Sequence, residues 1–365
     1  MKKNFKNKMC RMTAVAVTLC MTLGMVAGCG AENTPANGET NISAVTTETQ
    51  TTETVATSET TAPVATEEPA ATAEPTTASV QATLPELTET SVYSGTPDTS
   101  WHTGNKTEYI LYTAEQLMGF QELRVDGNTF EGIIIKLGDD ITINKGTAEY
   151  LQENADENYK WSVLSSDNEF KGVFDGQNHT ISGVYMQLVG SGVKGMFGTL
   201  GESSVVKNFT LDNSYFGGPK EDDKNTFGAI AGQITGSNVI ISNVTLNDVI
   251  VEEGKGKNLK WVGGFVGKVN AAAGLTMENC TFNGSVSASG EGVGGFIGFL
   301  SHSKAQVTMK NCAFNGSVRG GEYAGGMIGY AKKYQTLIID IQCTFPGQVT
   351  GSGENFGSVI GNDGK

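Results

Sequence analysis

Histidine is almost missing from this chain of 365 residues: only His102, His179 and His302 occur. They stand in Trp-His-Thr, Asn-His-Thr and Ser-His-Ser contexts. No His-Glu-x-x-His pattern places two imidazoles and a carboxylate on one helical face, so the chain carries no zinc-peptidase motif. Basic residues are scarce too, with 25 Lys and Arg against 39 Asp and Glu. Without the five basic residues near the N-terminus the balance is 20 against 39, and residues 91–365 alone carry about −9. That acidity argues against nucleic acid or an anionic lipid surface as partner. Of six cysteines, Cys10 and Cys20 fall in the first 28 residues. Past Cys29 only Cys280, Cys312 and Cys343 remain, too few and odd in number for a disulfide framework. The three tryptophans, Trp101, Trp161 and Trp261, recur at no common spacing and form no column, so no sugar-binding aromatic platform is expected.

The N-terminus does carry a clear signal. Lys2, Lys3, Lys6, Lys8 and Arg11 precede an apolar run from Met12 to Met25 that is too short to span a membrane comfortably. The run closes on Val26-Ala27-Gly28-Cys29, which resembles the lipobox of bacterial lipoproteins. That resemblance implies cleavage before Cys29 and diacylglycerol on its thiol, with two or more acyl chains giving a stable membrane anchor. Residues 31–90 hold 18 Thr, 10 Glu and 5 Pro, and no Lys, Arg, Asp or aromatic residue. Such a stretch cannot offset its ordering entropy by burial, and its carboxylates repel. A flexible chain of that length spans on the order of 40–50 Å. It reads as a tether.

The C-terminal half of the chain is a repeat. Gly195-Met196-Phe197-Gly198, Ala229-Ile230-Ala231-Gly232, Gly264-Phe265-Val266-Gly267, Gly295-Phe296-Ile297-Gly298, Gly326-Met327-Ile328-Gly329 and Ser358-Val359-Ile360-Gly361 are copies of one phrase. Their closing glycines lie 34, 35, 31, 31 and 32 residues apart. Such a period marks stacked units that cannot bury their apolar faces alone. Aligned on Asn208, Asn243, Asn279, Asn311 and Gln342, the copies put Phe209, Val244, Cys280, Cys312 and Cys343 in one apolar column. Leu211, Leu246, Phe282, Phe314 and Phe345 form a second, and Tyr215, Ile250, Val286, Val318 and Val349 a third. Val193, Phe227, Val262, Val293, Ala324 and Phe356 precede the glycine phrase. Columns of like residues arise when coils stack in register as parallel strands about 4.8 Å apart. The expected fold is an all-β, right-handed parallel β-helix of three sides, with Asn283-Gly284 and Asn315-Gly316 at corners. A β-sandwich of antiparallel hairpins is the alternative. Thr113-Ala114-Glu115-Gln116 has the capping-box pattern, so Thr113 to about Arg124 is expected as a short helix covering the first rung. Residues 145–160 are polar and read as a loop. The chain thus divides into a leader (1–28), a disordered tether (29–100), a cap with first rungs (101–190) and repeats (191–365).

The Gly-Gly-Phe-Val-Gly phrase resembles the GLUG motif, and Phe170 to Val184 with Trp161 resembles the introductory rung of the same surface proteins. These include lipoproteins, adhesin-like proteins and the non-catalytic N-terminal part of immunoglobulin-A-cleaving metallopeptidases. The resemblance covers about residues 108–362 and implies the β-helix, without implying an activity. Ala229 and Ser358 depart from the pattern at its second glycine. Asp340 falls where other copies have Val206, Ile241, Met277 and Met309, and a bulge or fraying coil is expected there.

Candidate chemistry is sparse. A glycosidase needs two carboxylates converging at roughly 5–10 Å, whereas Asp248, Glu252, Glu253, Glu278, Glu291, Glu322 and Asp340 scatter over the columns. Calcium could be held at Glu221-Asp222-Asp223 or at Asp139-Asp140, though both also read as solvated loops. His179 reads as a turn or rung residue. The cysteine column reads as small apolar filler, with one disulfide between neighbours as the alternative. The asparagine row reads as rung-to-rung amide bonds, or as a ligand-facing row. No catalytic residue and no cofactor is assigned, and the metal question stays open. The expected protein is membrane-held through Cys29, exposed at the cell surface, and binds a host or cell-wall glycan or a surface protein. A polysaccharide lyase or hydrolase and a passive scaffold are the alternatives.

Overall fold

A computed structural model describes residues 92–362 except 163, 165, 188–191, 218–224, 254–260, 302–303, 333–335 and 352–354. The leader, Cys29, the tether to residue 91, His302 and the Glu221-Asp222-Asp223 run lie outside the described residues.

Three parallel sheets wind around one apolar core. The largest runs through Glu108–Leu111, Ile134–Leu137, Val173–Ser182, Val205–Gly217, Val239–Glu252, Gly274–Glu278, Gln306–Lys310 and Thr336–Ile339. A second holds Gly192–Lys194, Asn225–Gly228, Trp261–Gly263, Gly292–Gly294, Tyr323–Gly325 and Asn355–Gly357. The third holds Glu169–Phe170, Thr199–Leu200, Ala231–Ile234, Val266–Val269, Ile297–Leu300, Ile328–Ala331 and Ile360–Asn362. Neighbouring rungs pair in parallel, as Leu211 with Leu246, Leu246 with Phe282 and Phe282 with Phe314. This is the three-sided β-helix, and the antiparallel sandwich is excluded.

Local chemistry explains how the coil turns. Asn208, Asn243, Asn279 and Asn311 adopt φ of 58°, 52°, 53° and 47° at one corner, a conformation that asparagine tolerates better than other residues with a side chain. The glycine phrase serves a different purpose. Gly264 and Gly295 are not left-handed; a Cβ on them would fall 2.6 Å and 2.5 Å from the rings of Phe282 and Phe314. These glycines provide space for the next rung's carbonyl, which a Cβ would meet at 2.1 Å and 2.2 Å, as well as for the rings, not backbone freedom. Where Ala229 takes that place, the same rung carries the smaller Leu246 in the ring column.

Several expected alignments shift by one residue. Lys194, not Val193, pairs with Phe227, because the first copy is one residue shorter between its glycines. Phe216 and Val251, not Tyr215 and Ile250, join Val286 in the buried column, because the corner after Asn247 holds one residue more than the corner after Asn283. Ile339, not Asp340, pairs with Met309. The extra residue of the expected bulge is carried in the turn where the Asp340 carbonyl accepts from the Cys343 N–H at 3.0 Å. In each case an inserted or deleted residue flips the side chains after it.

The N-terminal end is closed by α1, Ala114–Val125. Thr113 Oγ1 accepts from the Gln116 N–H at 3.3 Å, and Gln116 Oε1 reaches back to the Tyr112 N–H at 2.8 Å. Phe120 then meets Phe130, Phe170, Phe174 and Phe197 at 5.0–6.1 Å between ring centroids, filling the mouth of the core. Two expectations need correction. The ordered chain starts before residue 101, since Val92 bridges Thr142 and Tyr93 is buried. Residues 145–160 hold a helix, α2 (Ala148–Glu153), capped by Thr147 and anchored through Leu151 against Tyr185 and Tyr215.

Candidate functional site

The asparagine row is a hydrogen-bonded ladder. Nδ2 of Asn243, Asn279 and Asn311 each donates to the Oδ1 of the asparagine one rung earlier at 2.8 Å. Asn208 donates in turn to Asp175 Oδ1 at 2.9 Å. Burial pushes the Asp175 carboxyl up, but the bonds from Asn208 and Gln177 and the neighbouring Lys207 outweigh it and hold the group low. A parallel row links Asn315, Asn283, Asn247 and Asp212. With their amides bonded along the stack, these rows serve the corners.

The cysteines are three buried free thiols. Burial pushes the Cys280 thiol well up and that of Cys343 up as well, which disfavours the thiolate at both, while the hydrogen bond with Cys280 holds the Cys312 thiol down. Alkylation in denaturant without reductant should therefore label Cys280, Cys312 and Cys343 alike; two missing labels would establish a disulfide. His179 is a rung residue whose Nδ1 lies 3.2 Å from Asp140 Oδ1, and that same oxygen accepts from the Thr180 N–H at 2.8 Å. Among the described residues no group of three or more His, Cys, Asp or Glu is placed to hold a metal. Asp139 and Asp140 belong to no such group.

Two grooves remain. One, of about 430 Å³, is lined by Glu131, Lys171 and Glu202 among others. The Ser237 N–H donates to Glu202 Oε2 at 2.9 Å and holds that carboxyl below its ordinary range. A general acid needs the opposite shift, so Glu202 does not suit that role. The other groove, of about 380 Å³, lies where the first sheet turns into the second and is lined by Glu253, Ser287, Ser289, Arg319, Gly320, Gly321 and Thr350. Arg319 pairs with Ser287 on one side and Thr350 on the other, so its exposed side chain stands in a row of hydroxyls. Glu253 Oε2 accepts from both the N–H and the hydroxyl of Ser289 at 2.5 Å.

Beyond this groove, past Gly320-Gly321-Glu322, lies an aromatic patch. Trp261 stacks on Phe299 at 4.3 Å and 11°, Phe299 meets Tyr330 at 5.5 Å, and Tyr330 stacks on Tyr323 at 4.6 Å. Lys268 Nζ lies 4.9 Å above the Trp261 ring and Lys332 Nζ 5.8 Å above that of Phe299. Trp261, Tyr323 and Tyr330 are half-buried, while Phe299 is 3% exposed and forms the floor. Gly292 stands between Trp261 and Tyr323 in its column, where a Cβ would fall 2.6 Å from the Gly298 carbonyl oxygen and 3.3 Å from both Trp261 and Tyr330. The carboxylate of Glu322, as hydrogen-bond acceptor, pushes the Tyr323 phenol up to about 12. The patch is built not from a column of tryptophans but from unlike aromatic residues in two adjacent columns. One sequence sign was present, because Phe299 and Tyr330 both directly follow a closing glycine of the repeat.

No family model matches the chain. Halomucin of Haloquadratum walsbyi is 28% identical over 191 residues, which make up 52% of this chain and 2% of Halomucin. Among solved structures, a candidate immunoglobulin A1 protease from Bacteroides ovatus is similar over 67% of this chain and 84% of that chain, at 18% identity and a TM-score of 0.41. The β-helix assignment stands on the parallel sheets themselves. Among the described residues no helix is long and apolar enough to cross a membrane.

Proposed function

We propose that this chain is a surface binding module: Cys29 is acylated, the Thr- and Glu-rich stretch lifts the solenoid from the membrane, and one side of the solenoid adheres to a glycan or a surface protein. The observation that supports binding is the half-buried aromatic patch beside a polar groove, on a scaffold whose other polar rows are spent on its own corners. Aromatic faces with a few polar groups at the rim are what a recognition site requires. The GLUG resemblance and the match to Halomucin accord with a surface location. A polysaccharide-active enzyme is less well supported, because Glu202 in one groove and Glu253 in the other are engaged by backbone and hydroxyl donors.

Two measurements test the reading. Full-length protein should bind at least one member of a panel of glycans, mucins and cell-wall polymers; binding to none of them, nor to any surface protein, removes the proposal. Cys29→Ser should move the protein from the membrane fraction to the soluble fraction and abolish incorporation of labelled fatty acid. Unchanged membrane retention would sink the anchor.

A further inference from the structure

We propose that the groove at Arg319 and the adjoining aromatic patch form one site for a glycan ending in a carboxylated sugar of the sialic or uronic acid class. The inference rests on the reading of the chain as a binding module and names its ligand. Arg319 carries the charge recognition. Its side chain points outward between the Ser287 and Thr350 columns, and among the described residues it makes no hydrogen bond or ion pair. A planar guanidinium grips a carboxylate through two parallel N–H donors, and the flanking hydroxyls can bond the sugar's own hydroxyls. Glu253, across the groove, accepts the N–H and the hydroxyl of Ser289 through Oε2.

Ring recognition comes from the same strand order. Four residues after Arg319, Tyr323 stands on the second sheet and stacks on Tyr330, and the patch continues to Phe299 and Trp261 in the two earlier rungs. Rungs repeat about every 4.8 Å, close to the length of one sugar in an extended glycan. A chain laid along the solenoid can therefore set sugar faces against the half-buried rings of Tyr323, Tyr330 and Trp261, with Phe299 as the floor between them. The charge of the surroundings narrows the ligand further. Glu253 and Glu322 flank the site and offset Lys268 and Lys332 above the rings, and residues 91–365 carry about −9, so one terminal carboxylate matched to Arg319 suits the site better than a polyanion.

The test uses full-length protein on an array that pairs each glycan ending in sialic or uronic acid with its carboxyl-reduced twin and a sulfated counterpart. Wild type should prefer the carboxylated member at least tenfold. Arg319→Gln should erase that preference, and Tyr323→Ala should weaken binding of both twins at least tenfold, with melting temperatures unchanged in each variant. Equal binding of the twins, a preference surviving Arg319→Gln, or retention of sulfated glycans alone overturns the proposal. Binding of neutral glycans or of a protein that ignores both substitutions overturns this site but leaves the binding module standing. Absence of all binding by wild type removes the module itself.

Discussion

Phe314→Ala should lower the stability of the solenoid by about 3–5 kcal/mol, at the upper end for a deleted ring, because its site cannot collapse. The ring is fully buried and stacks on Phe282 at 6.1 Å and 8°. It rests in a slot made by glycines of three different segments. A Cβ on Gly295, Gly326 or Gly347 would approach the Phe314 ring to 2.5, 2.8 and 2.4 Å. Glycines have no side chain to swing into the void, and hydrogen bonds from the Gly295, Gly326 and Gly347 N–H groups to the carbonyls of Gly325, Gly357 and Phe314 in a neighbouring rung hold their backbones. Dispersion contacts around the ring are lost outright. Since each rung touches only its neighbours, hydrogen exchange should accelerate first in the rungs beside Phe314 and last near α1. Thermal or urea unfolding reports the global loss. A variant that melts like wild type would show that the ring column is not the structural axis of the repeats.

That pairing of ring and glycine shows what sequence alone makes legible here. The period, the parallel stacking, the asparagine corner and the capping helix can be read from like residues recurring at fixed spacing, since an in-register stack turns sequence columns into physical ones. The role of the phrase glycines cannot, because a glycine chosen for space and one chosen for φ look the same until a neighbour is placed against it. Single insertions are equally silent. Ile339 and Asp340 differ by one position, and only the pairing with Met309 shows which one faces the core. The aromatic patch escaped because recognition surfaces need not repeat: Trp261, Phe299, Tyr323 and Tyr330 are unlike residues that two adjacent columns bring together. Helix α2 is masked by polar composition, with only Ala148 and Leu151 buried.

Arg124→Met should be about as costly as the loss of Phe314, through a different mechanism. Arg124 ends the capping helix α1 and is 1% exposed. Its Nη1 donates to the carbonyls of Asn128 at 2.5 Å and Glu169 at 3.2 Å, and its Nη2 to those of Asn168 at 2.5 Å and Phe197 at 3.4 Å. One side chain thereby ties the helix to the loop after it, to the start of the third sheet and to the first glycine phrase. Burial opposes the charge and pushes the guanidinium from 12.5 down to about 10. A base whose folded pKa is depressed weakens the fold below that value, and the penalty lifts only as pH rises from about 10 towards the unfolded value. The net benefit of Arg124 must therefore come from its hydrogen bonds. Methionine keeps the length of the stem and removes the charge penalty, yet it leaves carbonyls unpaired at the mouth of the core. Each buried, unsatisfied acceptor costs about 1–3 kcal/mol, and breaking a buried charged network about 3–5 kcal/mol in total. The Tm should fall by several degrees, with proteolysis entering at residues 124–130 before any repeat is cut. If Arg124→Met is as stable as wild type, the carbonyls are satisfied without it, and Phe120 alone closes the end of the solenoid.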